Sequence, residues 1–274
     1  MADDEYLKIE VDRQVATITM RFGARSGRSS GWDLAEAFEA LRKDNSVRVL
    51  ILTGEHNAFA LAPTGDAYRG GFAYDNGVNP ARAWYTFNGI TRTIETMVGM
   101  EKPIIARVNG DAIGFGQSLV FACDFIVAVE HAIIMDHHMG GTLTGTYAGQ
   151  QRETGAEEFN APPGDGGMAL IPLYMTPCKA KEYLLLAKGY TGADLAAMNV
   201  INYAVPADQL DNKVGEITDA LLKRNPYTVA WTKRVTNRMV MNHVNLTLDA
   251  GMAYELAYFG HQKHTNGVNP TSFG

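Results

Sequence analysis

The chain has 274 residues, 46% of them apolar and 20% charged, with a formal net charge of −6. That is the composition of a globular protein with a sizeable core, in one large domain or one domain and a smaller appendage. It offers no basic surface for nucleic acid, no stretch near the ~20 apolar residues of a membrane span, and no CxxC pair or metal spacing around its two cysteines, Cys123 and Cys178.

The start, Met1-Ala2-Asp3-Asp4-Glu5, is acidic and lacks the regions of a signal peptide, so a cytoplasmic protein is expected. Leu7–Val11 and Val15–Met20 alternate around a turn at Asp12-Arg13 and predict a hairpin. Trp32–Lys43 carries Leu34, Ala37, Phe38 and Leu41 at helical spacing. Val47–Thr53, closed by Gly54, reads as a buried strand. Gly65–Ala81 reads as a loop and Ala83–Val98 as a helix. Ile104–Val108 predicts a strand ending at the turn pair Asn109-Gly110, and Gly114–Ala122 a helix.

Phe125–Val129 and Ala132–Met135 predict further strands. Gly140–Pro163 is polar and glycine-rich, and reads as a long loop without clear structure. Beyond Met168 the chain predicts helices over Lys179–Ala187, Gly192–Met198, Asp208–Arg224, Tyr227–Met241 and Leu246–His261, then a tail over Thr265–Gly274. Repeated strand–turn–helix units imply an α/β protein.

Five segments, in order, resemble the crotonase (enoyl-CoA hydratase/isomerase) superfamily. They are Val47–Gly54 with Ala58-Phe59; Lys102–Gly110 continuing to Gly114-Phe115-Gly116 and Ala122-Cys123-Asp124; Pro163–Gly167; Ala180–Ala187 with Gly189–Ala193; and Ala204-Val205-Pro206 with Leu210. The resemblance implies a ClpP/crotonase-like spiral of ββα units over residues 1–205. It also implies a C-terminal helical region, 206–274, that mediates assembly into a homotrimer or a dimer of trimers.

The family's chemistry uses two backbone N–H donors for an enolate oxygen. At the first position this chain reads Ala60-Leu61-Ala62-Pro63-Thr64, where a direct alignment puts Pro63, which has no N–H. A shifted alignment supplies Ala62, Thr64 or Gly65. The second donor falls at Phe115. The two glutamates that activate water in hydratases fall at Ser118 and His138, neither a carboxylate.

In their place stand His137-His138, Asp165 in a Pro-Gly-Asp-Gly-Gly turn, and Glu255 in the last helix. This pattern is similar to the 6-oxocamphor hydrolase branch, the β-diketone hydrolases. It differs in a longer spacing between the histidines and Asp165, and either His137 or His138 can match the family histidine. The resemblance implies water activation by His138 with a pKa near neutrality, Asp165 on its other ring nitrogen, and Glu255 as a polar partner for substrate or water.

Trp32 and Trp84 are candidates for an apolar pocket wall, together with Tyr85 and Phe87. Asp111 could be near the site or simply cap its turn, and Arg21, Arg25 and Arg28 form a basic cluster. Plainer roles compete for the candidates. Histidines at a strand end serve as loop residues, Asp-Gly pairs form turns, and a helix glutamate faces solvent or a subunit contact. The expected ligand is a small carbonyl compound, with no cofactor and no metal. The alternatives are a CoA-thioester hydratase, isomerase or hydratase-lyase, and a non-catalytic binding protein.

Overall fold

The computed structural model describes residues 6–21, 30–61, 73–74, 77–78, 80–147, 150–156 and 160–264. The expected hairpin forms from β1 (Leu7–Asp12) and β2 (Val15–Met20), antiparallel. Arg13 and Gln14 both take positive φ, 43° and 70°, the backbone that lets a two-residue turn match the twist of its strands. Helix α1 spans Ser30–Lys43. Strand β3 (Val49–Gly54) is almost wholly buried, as its unbroken apolar run requires of a strand covered on both faces.

After β4 (Ala58–Ala60), the short pair β5 (Ala73–Tyr74) and β6 (Gly77–Val78) precedes α2 (Pro80–Gly99). Then come β7 (Ile104–Val108), β8 (Asp111–Ile113), α3 (Phe115–Ala122), β9 (Phe125–Val129) and β10 (Ile133–Met135). A six-stranded sheet runs β1-β2-β3-β7-β9 and ends on β14 (Tyr203–Val205). It is parallel from β2 onward. A second sheet stacks β4, β8 and β10 in parallel, with β13 (Tyr190–Thr191) antiparallel at its edge.

Successive turns therefore leave one strand in each sheet, β3 then β4, β7 then β8, β9 then β10. This is a spiral of ββα units. Asn109 joins two turns of it: its amide donates to the carbonyls of Gly54, His56 and Ala58 at 2.9, 2.9 and 3.1 Å. Three-residue strands such as β4, β8 and β14 are too short for alternation to mark them, and the sequence did not predict them as strands.

Three expectations change. Gly65–Ala81, read as a loop, holds the β5–β6 pair and the first residues of α2. Gly140–Pro163 contains a hairpin, β11 (Gly141–Tyr147) paired with β12 (Gln150–Ala156), rather than an unstructured loop. The two terminal helices are one, α8 (Pro226–His264), following α4 (Gly167–Tyr174), α5 (Pro177–Leu185), α6 (Gly192–Ala197) and α7 (Leu210–Leu222). Val244, Leu248 and Met252 are buried at one helical spacing through the supposed break. Lys233 on α8 bonds Asp124 at 2.7 Å, and Asp124 also accepts from Ile104 N at 2.8 Å. That buried pair fixes α8 against the sheet.

Candidate active site

Four pieces of chain converge at one end of the second sheet. Strand β10 runs directly into Asp136-His137-His138. The first half of α3 brings Gln117 and Ser118, the turn Pro163–Gly167 brings Asp165, and α8 brings Glu255. All seven side-chain-bearing residues are buried, with Asp165 the most exposed at 5%.

His138 is the centre. Its Nδ1 lies 2.7 Å from Asp136 Oδ1, and its main-chain N–H donates to the same oxygen at 3.0 Å. Its Nε2 faces Asp165 Oδ2 at 3.6 Å and Glu255 Oε1 at 3.7 Å. Asp165 thus stands on the opposite ring nitrogen from the one expected of an orienting partner, and Asp136 takes that place. Sequence analysis missed Asp136. The signal available was its position two residues before a candidate histidine, close enough for its carboxylate to bond both that residue's N–H and its ring.

The glycines of the turn make room for these groups. A β-carbon on Gly164 would meet Glu255 Oε2 at 2.6 Å. One on Gly167 would collide with Asp136 Oδ2.

The charge states follow from burial and crowding. Burial alone would push the His138 imidazole down, but Asp165, Asp136 and Glu255 outweigh it and raise it to about 10. Asp136 is held below its ordinary value although burial opposes this, because His138 bonds it. Burial lifts Glu255 to about 8, with Asp165 and Asp136 adding and His138 opposing. Burial also lifts Asp165 to about 6 against the pull of His138. His137 is driven to about 3 by burial and by the charge on His138, whose ring centre is 4.8 Å away. At neutral pH the cluster is an imidazolium bonded to Asp136, an ionised Asp165, a protonated Glu255 and a neutral His137. The expected histidine of neutral pKa is not what this geometry gives.

Asp136, His137 and His138 also offer ligand atoms within 4.8 Å of one another, close enough for a cation. Nδ1 of His138 is engaged with Asp136, so Nε2 is the ring nitrogen this residue could offer a cation.

The other candidates are not among these seven residues. Trp32 stacks on Tyr85 at 5.3 Å and donates to its carbonyl at 2.8 Å. Trp84 is 61% exposed. Phe115 starts α3, half-buried against the core. Asp111 accepts from Ile133 N at 2.7 Å, tying β8 to β10. Arg21 pairs with Glu55 at 3.6 Å. Ala62, Pro63, Thr64, Arg25 and Arg28 lie outside the described residues, as does the tail.

The family model for enoyl-CoA hydratase/isomerase matches residues 29–271. The chain belongs to this family. Among its members, a probable peroxisomal enoyl-CoA hydratase of Arabidopsis thaliana is 28% identical over 82% of this chain and 72% of its own. A crotonyl-CoA hydratase of Syntrophomonas wolfei is 26% identical over 83% and 77%. An enoyl-CoA hydratase/isomerase structure from Mycobacterium paratuberculosis superposes with TM-score 0.79 at 22% identity, covering 96% of both chains. A β-diketone hydrolase from Anabaena, bound to (S)-3-oxocyclohexyl acetic acid, gives 0.78 at 21% identity, covering 96% and 97%. These structures share the family fold, the ββα spiral. Among the described residues no helix is long and apolar enough to cross a membrane.

Proposed function

We propose that this family member hydrolyses a carbon–carbon bond in a cyclic β-diketone-like substrate, through an enolate and without a cofactor. The observation that carries the reading is the imidazole held between Asp136 on Nδ1 and Asp165 and Glu255 on Nε2. The positions where hydratases place their glutamates hold Ser118 and His138 instead.

Asp165, more basic than an ordinary carboxylate, takes a proton from water as its oxygen attacks one carbonyl carbon. The imidazolium of His138 donates from Nε2 to the oxyanion that forms, in a buried site where such a bond is strong. The carbon–carbon bond breaks, leaving a carboxylic acid and an enolate. Glu255, protonated because it is buried, delivers a proton to the enolate carbon. The proton on Asp165 then returns to Glu255 by way of Nε2, which stands 3.6 and 3.7 Å from their oxygens. Water and diketone are consumed and a keto acid is released, with the site restored.

A second reading has its own support: relatives with 26–28% identity are named hydratases of CoA thioesters. The same donor and acid would serve a thioester enolate. The deciding experiment sets cyclic β-diketones beside enoyl-CoA esters and follows acid release and hydration. Acid release from diketones that is lost in His138→Ala supports the hydrolase. Hydration of enoyl-CoA with no acid release overturns it in favour of the thioester enzyme. Inertness toward both classes, with ligand binding retained, leaves the non-catalytic reading.

A further inference from the structure

We propose that Gln117 is the positioning residue of this site, a single amide that sets both carboxylates bracketing the His138 ring. It touches no reacting atom, and nothing in the family resemblance pointed to it.

Gln117 is completely buried near the start of α3, among apolar neighbours such as Leu119, Val120 and Phe121. A buried amide is costly unless its bonding capacity is used. Here Nε2 donates to Ser118 Oγ at 2.8 Å and to Asp136 Oδ2 at 3.3 Å. Its Oε1 accepts from the hydroxyl of Tyr183, fully buried on α5, at 3.3 Å. The Tyr183 hydroxyl also meets the main chain of Asp136. The links close into a ring from the Asp136 main chain through Tyr183 and Gln117 to the Asp136 side chain.

The proton count fixes the direction of every bond. A flipped amide would put a carbonyl against the Asp136 carboxylate, so the NH₂ group must face it. Its two protons go to Asp136 and Ser118. Ser118, having accepted from Gln117, gives its own proton to Asp165 Oδ1 at 3.4 Å. Each flanking carboxylate is therefore divided. Asp136 gives Oδ2 to Gln117 and Oδ1 to His138, while Asp165 gives Oδ1 to Ser118 and Oδ2 to His138. The oxygens aimed at the ring are aimed because the other two are held.

The inference rests on His138 being the reacting imidazole, and not on the identity of the substrate. Its test reads the ring directly. In wild-type protein the Nδ1 proton of His138 should give a far-downfield NMR signal that exchanges slowly with water. Gln117→Met keeps the volume and removes both bonding ends. It should speed that exchange at least tenfold and shift the pH midpoint of the ring, the scale expected for one lost buried hydrogen bond. With a turned-over substrate, kcat should fall about tenfold while KM stays within about twofold.

Tyr183→Phe is the second variant, for the case in which Gln117→Met does not fold. It should move the exchange in the same direction by a few-fold. An unchanged ring signal in whichever variant folds overturns the proposal, and so does a wild-type ring with no slowly exchanging Nδ1 proton. Failure of the wild type to cleave diketones would overturn the proposed function alone, since the NMR reading needs no substrate.

Discussion

Gly167 is what gives Asp136 its place: a β-carbon on this glycine would occupy the space of the carboxylate oxygen Oδ2. The turn after β12 and the end of β10 thus meet with no side chain between them. Gly167→Ala should push Asp136 off Nδ1 of His138 or push the turn off its seat. The cost expected of overpacking at such a point is about 1–3 kcal/mol. Thermal unfolding of the variant beside wild type checks it, with the activity expected to fall further than stability alone explains. A variant of unchanged melting temperature and activity would show that the two segments part freely.

Asp165 and Asp136 together hold the charge on His138, so weakening Asp136 should weaken the imidazolium. In Asp136→Asn the amide can still bond the ring, but it brings no negative charge and turns an NH₂ group toward that of Gln117. Burial, which opposes the imidazolium, is then less well balanced, and the His138 pKa should fall well below about 10. Histidine NMR titration measures this. Turnover should fall roughly 10²- to 10⁴-fold, as when an orienting carboxylate becomes an amide. A His138 midpoint that stays where wild type has it would remove Asp136 from the account.

The same charge states govern stability against pH. Glu255 keeps its proton to about 8 when folded, against an ordinary 4.5, and His138 to about 10 against 6.5. A group whose folded pKa is raised adds stability that is full below its unfolded pKa and lost as pH rises through the folded one. Asp165, raised from 3.8 to about 6, has largely completed its change by about pH 7. His137, lowered from 6.5 to about 3, adds stability with rising pH until the unfolded histidine has lost its proton, and so offsets part of the His138 contribution, leaving Glu255 to set the direction. From about pH 7 to 8 the melting temperature should therefore decline with rising pH. Glu255→Gln should flatten part of that decline. Activity should be confined to the interval between about 6 and 8, where Asp165 is ionised and Glu255 protonated. A melting temperature that rises across this window would contradict the assignment.

The sequence made the fold legible where a strand pattern runs five or six residues: β2 by alternation, and β3, β7 and β9 by their largely apolar runs. It hid β11 and β12, whose glycines and polar residues read as loop, and it split α8 at Asn242-His243-Val244-Asn245, where two asparagines lower helix propensity. Tertiary burial of Val244 overrides that local preference. His137, His138, Asp165 and Glu255 were named through their places in a family pattern, and they do meet in space. Asp136, Gln117 and Tyr183 were not named, because a buried polar residue inside an apolar run looks like an interruption until its partners, up to 66 residues away, are seen.

The outer face of α8 carries a last expectation. Tyr227, Trp231, Val235 and Met239 recur every four residues and are 66–70% exposed, and Leu246 and Tyr254 continue the apolar exposure along the helix. A stripe of large apolar side chains on one helix is more than a monomer normally leaves to water. We propose that it is covered by other copies of this chain, in a homotrimer or a dimer of trimers. Light scattering coupled to size exclusion should then give three or six times 29.9 kDa. Trp231→Glu with Met239→Glu, two exposed sites that leave the buried face intact, should shift the mass toward one chain. Because Glu255 rides on the same helix, the dissociated variant should also lose activity at low protein concentration. A wild-type protein that runs as a monomer throughout would refute this use of the stripe.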